Sequence, residues 1–462
     1  MNFRRLLLKS AYRVRAPRIL EQIEFFKRNE SQPAEYFAEM QLRKLKSLLL
    51  YCHANIPFYR ELWDKHSVSA EIESLTDLEK FPLINKEMVQ TGIAQKKFDY
   101  ERFGKEKLLK QTTTGSSGTP FEFYEDRRCF DLRTSKAYAI NSWFHYELGD
   151  KCARFWRGEL EPSFFEKVKS YIKNVDPYCI YDPNAPLESA LTQARIEEFI
   201  ARLNKTKPKI IEGFVSALDL IATYLNAHGQ KLKHKPKSIV TGAEFLSDIQ
   251  RENISQAFGC PVYNRFGGTE TGIIAHECTL QATGDHMLHI DTENLIIETI
   301  KAGKSVRGEP GEIVATLLNM RATPLIRYQT GDIATLDDSA KCYCGRTAPL
   351  MKDIEGRAND FFVLKDGKLL STHLWQNYFK KLPFINRYQM IQSNLDRVDV
   401  SLIVDQEQFV EKDFEKLKKS VEAALPGVDV TWSFVEEIPL GPGGKFHHCI
   451  SKLPAEQKRV NA

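Results

Sequence analysis

Apolar residues recur every three or four positions through "AEYFAEMQLRKLKSLLLYCHANIPFYRELW", residues 34 to 63. The spacing predicts an N-terminal helical region ended by a turn at "NIPFY". From about residue 105 the period changes. "FEFYED" alternates as a strand, "RCFDLRTSKAYAINSWFHYEL" has helical spacing, and "KIIEGF" and "KSIVTGAE" are short apolar runs typical of buried strands. Between those two runs, "SALDLIATYLNAHG" is a helix closed by Gly229. Such alternation predicts a mostly parallel sheet covered by helices. After residue 285 the chain turns β-rich, with "LIIETI", "GEIVATLL" and "DIATLD" separated by Gly and Pro turns. Near residue 356 it shifts again. "FFVLKDGKLLS" predicts a hairpin turning at Asp366 and Gly367, and "RYQMIQ", "RVDVSLIV", "DFEKLKKSVEAAL" and "VDVTWSFVEEI" follow as strand, strand, helix, strand. An α/β chain is expected, with a large unit over 1–355 and a small α+β unit over 356–462.

Composition narrows the function. With 462 residues, 42% of them apolar, the chain can fill two or three cores. Its 65 basic residues against 61 acidic ones give only +4, too even a balance for nucleic acid as a main partner. No apolar run approaches the roughly 18 residues of a membrane span. The opening "MNFRRLLLKSAYRVRAPRIL" is interrupted by Arg and Lys, unlike a secretory signal, so a cytoplasmic protein without integral membrane association is expected. That opening fits a basic amphipathic helix packed on its own domain, a membrane surface being the alternative for such a face. Nine scattered cysteines without a signal favour free thiols over a disulfide framework.

Candidate chemistry begins at "TTTGSSGTPFEF", residues 112 to 123. Gly115 and Gly118 free the backbone, and Thr114, Ser116, Ser117 and Thr119 add hydroxyls, a combination that can wrap a polyphosphate. Taken alone it is equally an ordinary polar turn before a strand; Thr119 and Pro120 after Gly118 exclude a Walker A loop. Four further signals follow in order: "YNRFGGTETG" (263–272), "PLIRYQTGDIA" (324–334), "IEGRANDFFVLKDG" (354–367) and "IPLGPGGKFHHCISKL" (438–453). The ordered set resembles the adenylate-forming superfamily of acyl-CoA synthetases, most closely its phenylacetate-CoA ligase branch, which includes the CapK-like proteins of polysaccharide gene clusters.

The resemblance implies an ATP-dependent, AMP-forming acid ligase whose small C-terminal domain moves as a lid. It assigns the 114–119 loop to the β and γ phosphates, Thr269 to the α-phosphate and Glu270 to Mg²⁺, a hard cation suited to carboxylate oxygen. Arg265, Phe266 and Gly267 precede that pair. Gly242, Ala243 and Glu244 run beside the nucleotide, with a plain strand-end turn as the alternative, and Asp332 accepts the ribose hydroxyls. Arg357 marks the junction between domains, although Asn359 departs from the charged hinge residue usual there. Lys445, in "GPGGK", is the catalytic lysine that bridges the carboxylate and the α-phosphate. Phe121 stands where many members outside this branch carry Lys.

"CYCG" places Cys342 and Cys344 two apart, and Cys278 follows "AHE". With His276, His286 or His289 these could complete a structural Zn²⁺ site, and the "MLHI" context resembles the one CapK-like members place before Cys-x-Cys-Gly, favouring His289; three buried free cysteines are the plain alternative. For the acid, Trp143, Phe144, Tyr146, Trp156, Phe214 and Arg265 would suit an aryl group, while Lys136, Arg154 and Arg157 would suit a polar or amino acid. Coenzyme A is the expected acceptor, with a sugar precursor in surface-polysaccharide synthesis as runner-up. A non-catalytic binding protein is disfavoured, because folding alone needs none of Thr269, Glu270, Asp332, Arg357 and Lys445.

Overall fold

The computed structural model describes residues 3–104, 108–113, 121–157, 163–181, 193–280, 286–357, 361–365, 369–371, 379, 382–439 and 448–453. It opens with helices α1 (Phe3–Arg15) and α2 (Pro17–Asn29). Pro17 sits in the first turn of α2, where its missing N–H leaves no bond unmade. In α3 (Ala34–Asn55) the three-and-four spacing buries Phe37, Met40, Leu45, Leu48, Leu49 and Cys52. The predicted turn is a single extended and fully buried residue, Ile56, and Pro57 then opens α4 (Pro57–Lys65). Tyr59 of α4 donates its hydroxyl to the Pro324 carbonyl at 2.7 Å and accepts from the Ile326 amide at 3.1 Å. That one side chain joins the helical region to the "PLIRY" segment.

After α5 (Lys86–Ala94) comes a hairpin of β1 (Leu109–Thr113) and β2 (Phe121–Glu125), in register from Thr113↔Phe121 to Leu109↔Glu125. The buried carboxylate of Asp126 then starts α6 (Arg127–Asn141) by accepting from the Cys129 amide at 2.9 Å. Its second oxygen accepts from the amides of Arg321 at 2.7 Å and Ala322 at 3.2 Å. The helix expected to run on through "NSWFHYEL" stops at Asn141, because a 3₁₀ turn follows and His145 adopts left-handed backbone with φ 65°.

One sheet of twelve strands carries the site. Strands β3 (Cys152–Arg157), β4 (Val175–Tyr181), β5 (Ile210–Phe214), β6 (Ser238–Gly242) and β7 (Val262–Gly268) run parallel in the spatial order β7-β6-β5-β3-β4. Helices α7 (Phe164–Lys173), α8 (Gln193–Thr206), α9 (Val215–Ala227) and α10 (Asp248–Phe258) are the crossovers. Every residue of β5 is buried, as expected of a central parallel strand. Beyond β7 the sheet becomes antiparallel. Strands β8 (Gly272–His276), β9 (Leu288–Ile290), β10 (Leu295–Lys301), β11 (Lys304–Ser305), β12 (Pro310–Leu317), β13 (Tyr328–Asp337) and β14 (Leu350–Arg357) stand in the order β8-β9-β14-β13-β12-β10-β11. The mostly parallel sheet read from the sequence is therefore half of a mixed one.

Past Arg357 a small α+β domain has its own core. A hairpin of β15 (Phe361–Val363) and β16 (Leu369–Ser371) precedes β17 (Ile385–Asn394), β18 (Arg397–Val404), α11 (Glu411–Ala424), β19 (Asp429–Phe434) and β20 (Cys449–Ser451). The last four strands form a sheet in the order β19-β18-β17-β20, covered by Phe414, Leu417 and Val421 of α11. Fully buried Gln392 joins hairpin to sheet, accepting from the Val363 amide at 3.0 Å and donating to its carbonyl at 2.8 Å. The turn residues Asp366 and Gly367 lie outside the described residues.

The three amide bonds of Asp126 make it the anchor between α6 and the 321–322 loop. Asp126→Ala is expected to destabilise the protein by about 3 kcal/mol, since one cap and two further buried amides lose a charged acceptor. Denaturant titration checks this; a change below about 0.5 kcal/mol, the range of ordinary surface substitutions, would refute the anchoring role.

Candidate active site

The glycine-rich turn "RFGGTETG" is where the sheet changes direction. β7 pairs with β6 up to Gly242↔Arg265, then folds back on β8 through Gly268↔Gly272. Two glycines make this reversal tight: a Cβ on Gly267 would fall 2.0 Å from the Gly272 carbonyl oxygen, and one on Gly272 would fall 2.6 Å from Arg133 Nε. Thr269 is exposed at the tip and Glu270 half-buried beside it. Arg133, on α6, donates to the Thr269 carbonyl at 2.7 Å and to Glu125 at 3.0 Å. Glu125 also accepts from Gln111 at 3.0 Å, so this chain of bonds ends on the β1–β2 stem that flanks the hydroxyl loop. Thr114, Gly115, Ser116, Ser117, Gly118 and Thr119 themselves lie outside the described residues, as do Asn359 and Lys445.

Gly242, Ala243 and Glu244 leave the end of β6 one strand away from Arg265. Ala243 holds left-handed backbone, φ 64°, a strained state for a residue with a Cβ and one found preferentially at functional turns. Glu244 accepts from the Ser216 amide at 2.7 Å and from its hydroxyl at 3.0 Å, which fixes the turn against the first turn of α9. Asp332 and Arg357 are direct ladder partners on β13 and β14. Along the sheet, β14, β9 and β8 separate Asp332 from the strand that carries Phe266 and Gly267.

A charged row crosses the parallel strands just behind these turns. Glu212, inside β5, accepts from Asn141 at 3.1 Å and from Arg154 Nε and Nη2 at 3.1 and 2.8 Å, while Arg265 stands 3.8 Å from its other oxygen. Arg265 also donates to Asn141, and its Nε is buried without a partner. Burial alone would raise the Glu212 carboxyl, but Arg154 and Arg265 outweigh it and hold it below its ordinary range. Burial likewise pulls Arg265 down against the attraction of Glu212. In the next row, nearer the strand ends, Trp156 and Phe214 stack at 4.4 Å and 16°. Beside them Gly242 contributes no side chain.

The remaining candidates for the acid pocket lie elsewhere. Phe144 stacks on Tyr263 within a buried cluster that also holds Tyr146. Lys136 is buried between Glu293 and Asp291. Arg157 ends β3. Trp143 donates to Glu30 at 2.6 Å, lies under Arg346 at 3.4 Å and meets the rings of His276 and His289 edge-on.

That tryptophan backs a compact donor cluster. One ligand atom each from Cys278, His289, Cys342 and Cys344 lies within 4.8 Å of the others, with Cys278 and Cys342 sulfurs 3.5 Å apart and Cys344 3.4 Å from His289 Nε2. Cys278 hydrogen-bonds Cys344, lowering that thiol, and His289 lowers it further. His276 is the ladder partner of His289, and burial pushes its imidazole well below the ordinary range. His286 approaches Glu277 instead. Glu277 is itself clamped by both Arg251 terminal nitrogens, at 3.0 and 2.6 Å, which fixes the backbone next to Cys278. Of the residues that shape these sites, Arg133, Glu212 and Trp143 in its present role were not anticipated. Glu212 had a signal, a carboxylate inside an otherwise apolar strand; Arg133 had none.

Residues 362–452 match the family model described as the CapK C-terminal domain. The chain is 25% identical over 429 residues to Protein CapK of Staphylococcus aureus, covering 90% of this chain and 89% of that protein. To the phenylacetate-coenzyme A ligase of Thermus thermophilus it is 22% identical over 402 residues, with 85% and 87% covered. Its fold matches the crystal structure of 2-hydroxyisobutyryl-CoA ligase in the postadenylation state at a TM-score of 0.73, with 18% identity and 94% and 93% of the two chains covered. With the motif order and the reversal at Gly267 already in hand, the chain is similar over most of its length to the phenylacetate-CoA ligase and CapK-like branch of the adenylate-forming superfamily.

Proposed function

We propose that the protein is an ATP-dependent, AMP-forming ligase that activates a small carboxylic acid and passes its acyl group to coenzyme A. A carboxylate oxygen attacks the α-phosphorus of ATP, the bond to pyrophosphate breaks, and an acyl adenylate forms. The thiol sulfur then attacks the acyl carbon, losing its proton, and AMP leaves. The carrying observation is the bonded path from Thr269 through Arg133 and Glu125 to the β1–β2 stem, which holds the Thr269–Glu270 turn and the hydroxyl-loop hairpin as one unit. Both segments would face the phosphates, where donors must meet developing charge. Thr269 contacts the α-phosphate and Glu270 holds Mg²⁺, which neutralises phosphate charge. Arg265, Phe266 and Gly267 with Gly242 to Glu244 flank the base, and Asp332 takes the ribose. Residues 1–355 and 356–462 act as body and lid, with Arg357 at their junction and Lys445 carried by the lid.

The acid is an aryl or amino acid. The Trp156–Phe214 stack supports a flat apolar part, and the adjoining Arg154, Glu212 and Arg265 support a charged group on the same substrate. A sugar precursor of surface polysaccharide is the second reading for the acceptor. It is favoured by the CapK-type match, which falls on the region that would admit the acceptor. Cys278, His289, Cys342 and Cys344 would hold Zn²⁺. Sulfur to sulfur and sulfur to nitrogen separations of 3.5 and 3.4 Å fit the edges of a tetrahedron with bonds of about 2.0–2.3 Å. Four protein ligands leave no open position, so the role is structural.

Acid-dependent exchange of pyrophosphate into ATP, screened over aryl and amino acids, tests the reading; no exchange with any acid would overturn it. Coenzyme A dependence of AMP release then separates the two acceptors. Lys445→Ala is expected to lower exchange by roughly a hundredfold or more, a loss of about 3 kcal/mol or greater from the transition state. Transfer from presynthesised acyl adenylate should survive this change. The purified protein should carry about one zinc per chain, and Cys344→Ser should lower both zinc content and melting temperature. Metal analysis showing no zinc would refute that part alone.

A further inference from the structure

We propose that α7, with α1 beside it, docks this protein on the surface of an anionic phospholipid bilayer. The starting observation is a crossover helix that does not cover its sheet. Helices α8, α9 and α10 each bury several side chains, among them Phe199, Leu218 and Ile254, whereas α7 buries none. Of its apolar side chains only Ile172 is half-buried; Phe164 is 75% exposed, Phe165 82%, Val168 39% and Tyr171 63%. Positions 164, 168 and 171 fall on one helical stripe, with 165 alongside. α7 lies at the rim of the sheet, because β4, the strand it leads into, is the last one in order.

The helix is nonetheless firmly set. Ser163 caps it by accepting from the Glu166 amide at 3.3 Å. At its other end, Asn174 turns left-handed, donates to the Gly149 carbonyl at 3.0 Å and accepts from the Cys152 amide at 3.0 Å. The aromatic stripe is therefore held outward by a rigid mount. α1 packs against α7 and adds exposed Leu6 and Val14, while buried Leu8 keeps it on the fold.

Charge decides the occupant. α1 contains Arg4, Arg5, Lys9, Arg13 and Arg15 and no acidic residue; α7 contains three lysines against one glutamate. Together the two helices exceed the +4 of the whole chain, so the rest of the protein is net acidic. A second copy of this face would repel it, and a nucleic acid would leave the phenylalanines uncovered. An interface helix needs both features, apolar side chains to enter the acyl boundary and cations for anionic headgroups. Among the described residues no helix is long and apolar enough to cross a membrane, so the contact is peripheral.

Flotation of the full chain with phosphatidylcholine vesicles, with and without phosphatidylglycerol, tests this. Binding is expected only with phosphatidylglycerol and should be released by added salt. The double variant Phe164→Ser, Phe165→Ser changes only exposed positions, so its melting temperature should match the parent while its partition coefficient falls on the order of tenfold or more. Lys167→Glu with Lys169→Glu should weaken binding in the same direction. No binding to the anionic vesicles, equal binding to both kinds, or undiminished binding by the serine variant would each overturn the proposal. So would a serine variant whose only change is a smaller oligomer in sedimentation velocity, which would make the face a protein interface.

Discussion

The reversal between β7 and β8 is the constraint on which the rest depends. A parallel strand normally leaves the sheet through a crossover helix, yet β7 turns straight back, with a Cβ on Gly267 excluded by the Gly272 carbonyl at 2.0 Å. The bare backbone of Gly272 in turn admits Arg133, whose guanidinium pins the tip of the turn to α6 and β2. Close approach at the two glycines thus converts a chain reversal into a fixed platform. Thr269 and Glu270 project from that platform at the carboxyl ends of the parallel strands, the position where open α/β sheets bind ligands.

Buried charges in the large sheet differ in how they are paired. Arg327 meets both Glu298 oxygens, at 3.1 and 2.8 Å, and donates also to the Glu79 and Phe81 carbonyls, so its fork is filled. Arg251 meets both Glu277 oxygens through its terminal nitrogens, while its Nε is buried without a partner. Glu212 differs, since two guanidiniums share its single charge. Burial still raises the Glu298 and Glu277 carboxyls against their single arginines, whereas two guanidiniums hold Glu212 down despite its burial. The Glu212 row, behind the Trp156–Phe214 stack, thus carries more positive charge than its one carboxylate neutralises.

Local pattern made most of this architecture legible. Strands β5 and β6, α9 with Gly229, and the strand, strand, helix, strand series of the small domain follow from periodicity because each buries one contiguous apolar set. The pairing of Cys278, Cys342 and Cys344 with His289 was legible from family-like spacing in the chain. What escaped was set by tertiary approach. The end of α6 at Asn141 depends on His145 turning left-handed, and Trp143 was drawn from a supposed acid pocket to the donor cluster by Glu30 and Arg346, residues far away in sequence. Arg133 looks like any helix arginine until the turn at Thr269 is folded against it.

The donor cluster occupies a narrow joint between the two halves of the large sheet. β9 has only three residues, pairing with β8 at Ile290 and His289 and with β14 at His289 and Leu288. So few ladder bonds must join the parallel half, with the reversal at Gly267, to the antiparallel half that carries Asp332. Cys278 lies just past β8, His289 sits inside β9, and Cys342 and Cys344 lie in the loop before β14, so the four donors gather from the three strands of this joint and their loops. Trp143 and Arg346, both fastened to Glu30, add the N-terminal helices to the same point. A bridge among those donors would hold the two halves of the sheet in register across this short strand, and would do so without touching the turn where the chemistry is proposed to occur.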